Sequence, residues 1–228
     1  VKNNYNPEES VKELLEKIDI SGDTQYEKVT EIKNYLAKNI KLIKVNDLDK
    51  FKIRDMKTVI KKGYGNSYER ALLFKQLLDL EEIENNMVVI GIKKNKFSDK
   101  KELLLVDNFN YVINNIIIGE KNYFVDSSSE FYDLDELKYE NLVGFTISKD
   151  SEFIEVDGAS NNMHYYKLEG KLDKNLNLKM SVKTEYSGNE EARLRKKYKY
   201  MTPKDKNIDF QRELGNISLQ IQPLTNGF

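Results

Sequence analysis

Apolar residues recur at three- and four-residue spacing through the first third of the chain and then at shorter, denser spacing, which predicts helices followed by strands. Pro7 suits the first turn of a helix running through Val11, Leu14, Leu15 and Ile18, which Ser21-Gly22-Asp23 breaks. A longer helix is predicted from Thr24 to about Leu42, with Val29, Ile32, Tyr35, Leu36 and Ile40 on one stripe. A short one follows over Arg54–Lys62, with Met56, Val59 and Ile60 inward. After Gly63-Tyr64-Gly65, Ala71, Leu72, Phe74, Leu77 and Leu78 wrap a wide face, so this fourth helix is expected to be central rather than superficial.

From Met87 the pattern changes. Met87–Ile92 has the β-branched density of a buried strand, and Leu103–Val106, Tyr111–Ile118, Asn122–Val125, Leu142–Ile147 and Phe153–Val156 continue as strands, with a short helix expected over Asp133–Tyr139. Helices packed on an antiparallel meander give an α+β fold. The most loop-like run, Asp157 to Asn162, divides the chain into a core at residues 1–156 and a smaller, β-rich region at 157–228. In the latter, Tyr165–Leu172 and Leu176–Tyr186 alternate as a hairpin. A charged helix over Glu190–Tyr200, a further helix after Pro203 and a strand at Ile217–Ile221 follow.

Composition removes several kinds of chemistry. The 228 residues carry a net charge of −1, so the whole molecule has no electrostatic pull toward nucleic acid or anionic lipid. There is no Cys, which excludes disulfides, thiolate metal sites and a cysteine nucleophile. No apolar run is long enough to span a bilayer. The chain begins with Val1 in a polar segment, and reads as a piece of a longer protein with its targeting sequence upstream.

The stretch with most chemical content is Gly63-Tyr64-Gly65-Asn66-Ser67-Tyr68-Glu69-Arg70. Its glycines allow a sharp turn, and Asn66 with Glu69 three residues on has the form of a capping box, so Ser67 falls in the first turn of the central helix. Unpaired N–H groups and a positive helix end favour an oxyanion or thiolate at that place.

This stretch resembles the transglutaminase-like branch of the papain-like enzymes, as do Phe109-Asn110-Tyr111-Val112 and Tyr123-Phe124-Val125-Asp126-Ser127-Ser128 further on, over roughly residues 24–147. The resemblance implies a papain-like transglutaminase core followed by a β-rich domain, and a triad at Ser67, Tyr111 and Asp126. Gly170–Leu172 and Gly188–Arg195 fit the domain that follows the core in bacterial relatives. Ser67 stands where the family has Cys and Tyr111 where it has His, leaving Asp126 as the family would have it.

A serine is far less acidic than a thiol, and tyrosine, with a pKa of about 10, is a poor base near neutrality. A Cys-to-Ser change at position 67 alone would leave Tyr111 unexplained, so the two departures together imply a catalytically inactive domain. The expected function is a protein- or peptide-binding or scaffolding module of a larger bacterial protein, extracytoplasmic by family habit. The alternative is an acyl transferase, amidase or peptidase using Ser67 as nucleophile. A third reading is a domain that only braces its neighbours.

Other candidate chemistry is weaker. His164 is the sole histidine and reads as a surface or interface residue. Asp173, Asn175 and Asn177 have calcium-loop spacing, but Leu178 and Thr184 replace the required Gly and Glu, so the run reads as a hairpin turn. The basic run Arg193–Tyr200 follows Glu190 and Glu191 and reads as a solvated helix face rather than a nucleic-acid patch. The glycine loop lacks the Gly-Lys-Ser/Thr of a phosphate loop. No cofactor, metal or nucleic acid is expected.

Overall fold

The computed structural model describes residues 8–44, 53–91, 111–134, 136–137, 142–147, 151–156, 162–175 and 178–215. Helix α1 (Glu9–Leu15) buries Val11 and Leu14. Helix α2 (Gln25–Asn39) starts at a capping box, in which Thr24 Oγ1 accepts from the Glu27 N–H at 3.2 Å and Glu27 Oε2 accepts from the Thr24 N–H at 2.9 Å. It ends at Asn39, short of the Leu42 that periodicity suggested. Ile40 turns extended and buries itself, and Lys41–Leu42 form strand β1 instead. β1 pairs in parallel with β2 (Tyr64–Gly65), a backbone partner invisible to side-chain spacing.

Between them lies α3 (Met56–Lys62), capped by Asp55 and terminated by Gly63 in the left-handed region at φ 67°. A Cβ at Gly63 would also come within 3.3 Å of the Asn39 carbonyl oxygen, so both conformation and space select glycine there.

Helix α4 (Ser67–Leu80) is the centre of the molecule, with Leu73, Phe74, Leu77 and Leu78 fully buried. It lies against β3 (Asn85–Ile90) and β4 (Tyr111–Ile118) of a five-stranded antiparallel sheet. The order of that sheet is β5-β4-β3-β6-β7, with β5 at Lys121–Val125, β6 at Leu142–Ile147 and β7 at Phe153–Val156. Strand β3 buries Met87 toward α4, and Val88 and Ile90 toward a second cluster with Ile113, Leu137 and Val156, so the sheet is covered on both faces. The fold is α+β. The strand expected at Leu103–Val106 lies outside the described residues.

The helix expected over Asp133–Tyr139 is a single turn among the described residues. The Asp133 N–H donates to Glu136 Oε2 at 3.1 Å and the Glu136 N–H to the Asp133 carbonyl at 3.2 Å, while Leu134 and Leu137 bury themselves. Its apolar pair anchors a loop rather than a helix face.

The C-terminal region contains a separate hairpin, β8 (His164–Leu172) with β9 (Leu178–Tyr186), then α5 (Gly188–Tyr198) and α6 (Pro203–Gly215). Asp173 Oδ1 accepts from the Asn175 N–H at 2.8 Å, so the calcium-like spacing belongs to a side-chain-closed turn. Helix α5 is tied to the segment after β5. Arg195 Nη2 donates to the Phe131 carbonyl at 2.9 Å, and Lys199 Nζ meets Glu130, which also faces Lys38 at 3.6 Å. The strand expected at Ile217–Ile221 lies outside the described residues. Among the described residues no helix is long and apolar enough to cross a membrane, and no cluster of three His, Asp or Glu could hold a metal ion.

Candidate active site

The start of α4 is built from polar groups that are themselves buried. Asn66 Oδ1 accepts from the Glu69 N–H at 2.8 Å and Glu69 Oε2 accepts from the Asn66 N–H at 3.0 Å, a reciprocal cap that satisfies two otherwise orphan donors. Glu69 is fully buried, and its carboxylate is also gripped by Arg54. Nε donates to Oε1 at 2.8 Å, Nη2 to Oε2 at 2.6 Å and the Arg54 backbone N–H to Oε1 at 3.1 Å. Burial pushes the Glu69 carboxyl up, but the Arg54 and backbone hydrogen bonds outweigh it and hold the group below the usual carboxylate range. Arg54 reaches back to the Tyr64 carbonyl at 3.1 Å and lies over the Tyr64 ring, so the glycine loop and the cap form one unit.

Ser67 is the first residue of α4 and is 7% exposed. One turn on along the same side of the helix stands Arg70, 2% exposed, which leaves α4 altogether. Its Nη1 donates to the Leu36 carbonyl of α2 at 3.2 Å and its Nη2 to the Ser127 carbonyl after β5. Burial lowers its pKa, opposed by the charge of Asp126.

Asp126 follows β5 directly. Its Oδ2 accepts from the Tyr111 hydroxyl at 3.0 Å and its Oδ1 from the Ser128 N–H at 2.8 Å, and the Tyr111 hydroxyl lies 3.4 Å from Ser128 Oγ. The antiparallel pairing of β4 with β5, Asn114 opposite Val125, brings the start of one strand alongside the end of the other.

A second buried cation adjoins this cluster. Lys33 of α2 is 2% exposed and its Nζ donates to the Tyr132 carbonyl. Burial lowers its pKa, against the attraction of Asp133, Asp126 and Glu136. From the sheet side, Asn114 Nδ2 donates to the Ala71 carbonyl of α4 at 3.0 Å.

Of the three positions read from sequence, the fold brings Tyr111 and Asp126 into direct contact, and Ser67 forms no hydrogen bond with either among the described residues. Arg70 ties the first turns of α4 to the turn after Asp126. Sequence reasoning passed over Arg70, Lys33 and Ser128. A signal for two of them was present. Lys33 occupies a place on the apolar stripe between Val29 and Leu36, and Arg70 interrupts a helix that is otherwise apolar on a wide face. A charge in such a position needs a buried partner.

Chemically, the cluster offers a phenol that donates to a carboxylate, with both carboxylate oxygens already accepting. Among the described residues no imidazole, thiol or carboxylate is hydrogen-bonded to the Ser67 hydroxyl.

No protein-family model matches this chain, and no curated protein matches it. A solved structure similar to it is that of a candidate protease from Parabacteroides distasonis, at 16% identity and a TM-score of 0.47. The similarity covers 65% of this chain and 28% of that one, so this chain spans well under half of that protein's length.

Proposed function

We propose that the chain is a transglutaminase-like domain without catalysis, which serves as a protein- or peptide-binding module of a larger bacterial protein. The observation that carries this reading is the 3.0 Å hydrogen bond from Tyr111 to Asp126. It is the contact an orienting carboxylate would make with a general base, made here by a phenol, which lacks the second ring nitrogen that accepts a nucleophile's proton in an imidazole. Acyl transfer from Ser67 would need a proton acceptor beside its hydroxyl, an orienter behind that acceptor, and N–H groups for the oxyanion. Of these, the start of α4 supplies only the last. Dismantled triads retain roughly 10³ to 10⁴ over water from such remnants, far short of an enzyme's turnover.

Turnover is tested with a glutamine-containing peptide and a fluorescent amine, and with generic peptide substrates. Wild type and Ser67→Ala are expected to be equally inert. A signal abolished by Ser67→Ala would overturn the reading in favour of an acyl transferase or amidase.

The kinship itself is tested through the absence of cysteine, because Ser67→Cys creates a unique thiol. Its alkylation by iodoacetamide near pH 6.5 should be faster by about tenfold or more when Tyr111→His is added, since an adjacent imidazolium lowers a thiol's pKa. Equal rates would mean that positions 67 and 111 do not form one site. For binding, a displayed peptide library panned on the immobilised chain should give ligands lost in Tyr111→Ala. Ligands indifferent to Tyr111 would place the binding face elsewhere, and no ligand at all would favour a purely bracing domain.

A further inference from the structure

The stretch from Ser127 to Tyr132, which follows Asp126 directly, is fastened by cations of two kinds. Its ends are held from inside the core. Arg70 of α4 donates to the Ser127 carbonyl and Lys33 of α2 to the Tyr132 carbonyl, and both cations are 2% exposed. Its middle is held from the surface. Glu130 gives one carboxylate oxygen to Lys199 at the end of α5 and the other to Lys38 of α2 at 3.6 Å, and Arg195 Nη2 of α5 donates to the Phe131 carbonyl at 2.9 Å. Lys199 Nζ also stands 5.4 Å from the centre of the Phe131 ring. The side chains of Lys38, Arg195 and Lys199 are 58%, 43% and 35% exposed. Attractions between partly exposed charges are screened by salt, whereas those of buried groups are screened much less.

We propose that residues 128–131 are a strap at the Tyr111–Asp126 pair, held shut by α5 through Glu130 and Phe131 and released when those contacts are cut or screened, with Ser127 and Tyr132 as its fixed ends. The strap meets the pair directly. The Ser128 N–H donates to Asp126 Oδ1 at 2.8 Å, and Ser128 Oγ lies 3.4 Å from the Tyr111 hydroxyl. Further along, the Phe131 N–H donates to Ser129 Oγ at 3.2 Å. Loss of the α5 contacts therefore frees the middle of the stretch while the buried cations keep its ends. Helix α5 is in turn tied to α6, since the Tyr198 hydroxyl donates to Asp209 Oδ2 at 2.8 Å and Lys197 pairs with the same oxygen. The C-terminal region thus bears on the pair through contacts that ionic strength weakens. The strap stands apart from the function proposed for Ser67, Tyr111 and Asp126.

The test is amide hydrogen exchange resolved by residue on the full chain, in wild type, Glu130→Gln, Lys199→Ala and the double variant. The Ser128 and Phe131 amides, protected in wild type, should exchange about threefold faster or more in either single variant, with α4 amides unchanged. The double variant should match Glu130→Gln, because both changes cut one contact. Wild type should show the same selective loss when NaCl is raised to about 1 M, where the Debye length falls to about 3 Å. Lys196→Ala removes a charge from an exposed place on the same helix and should behave as wild type. Unprotected 128 and 131 amides in wild type, rates unmoved by the variants or by salt, effects that simply add in the double variant, or an equal response to Lys196→Ala would each overturn the proposal. So would loss of α4 protection in step with the strap, which would make Glu130 a support of the whole fold.

Discussion

Helix α4 and the β8–β9 hairpin both mix polar with apolar side chains yet use them in opposite ways. In α4 the polar groups Ser67, Glu69, Arg70 and Gln76 are buried with the apolar ones, and Glu69 and Arg70 are gripped by neighbours from several elements. In β8 residues 164–171 are all exposed, and the Lys167–Glu169 ion pair joins surface residues two apart. Buried polar networks are costly when broken and so fix a single arrangement, whereas exposed pairs contribute about 0–1 kcal/mol and fix little. The contrast locates rigidity at the start of α4 and adaptability in the hairpin.

Substitutions should break or sharpen this contrast in a graded way. Phe74→Ala, at the fully buried centre of α4, is expected to cost about 3–5 kcal/mol in chemical denaturation. A smaller loss would mean that the core collapses around the cavity. Glu69→Gln should cost roughly 2–3 kcal/mol at neutral pH, because Arg54 loses its buried partner.

The pH dependence of that difference has a definite sign. The Glu69 carboxyl is held below its ordinary value of about 4.3, so its stabilisation is complete above that value and is lost as pH falls through the lower folded one. The gap between wild type and Glu69→Gln should therefore be constant from pH 7 to about 5 and close below about 4. A gap that persisted in acid would make the effect one of packing rather than charge.

Gly144→Ala is expected to cost about 1–3 kcal/mol. A Cβ there would meet Val88 Cγ1 at 2.6 Å and Val156 Cγ2 at 2.8 Å, and the stiff valines of two neighbouring strands must give way. Least of all, Lys167→Ala on the charged face of the hairpin should shift stability by less than about 0.5 kcal/mol. A large effect there would show that the hairpin is part of the global folding unit.

Much of the fold was legible because side-chain periodicity reports burial. The stripes through Val29, Ile32 and Leu36, and through Phe74, Leu77 and Leu78, became core helices, and the Asn66–Glu69 cap fell where the two residue types placed it. What periodicity does not report is backbone pairing or side-chain reach. The last residues expected in α2 went to β1 because Tyr64–Gly65 offered a parallel partner. The described residues of the stretch expected as a helix, Asp133, Leu134, Glu136 and Leu137, form a turn in which two buried leucines pin the chain.

At the candidate site, the pairing of residues 111 and 126 followed from motif order, since a hairpin with a tight turn at Gly119 fixes which positions face each other. The roles of Arg70 and Lys33 did not. Each side chain spans between elements distant in sequence, to carbonyls whose positions exist only once the chain has folded.

The short parallel β1–β2 pair has a kinetic corollary. Its ladder, with the Lys41 N–H on the Gly63 carbonyl at 2.8 Å and the Ile43 N–H on the Gly65 carbonyl at 2.9 Å, fastens the residues immediately ahead of Ser67 to the end of α2. Backbone bonds of this kind hold the loop in one shape. For a peptide ligand of the kind proposed above that docks on this loop, the expected association is a single step whose observed rate climbs in proportion to ligand concentration, with no plateau from a slow rearrangement.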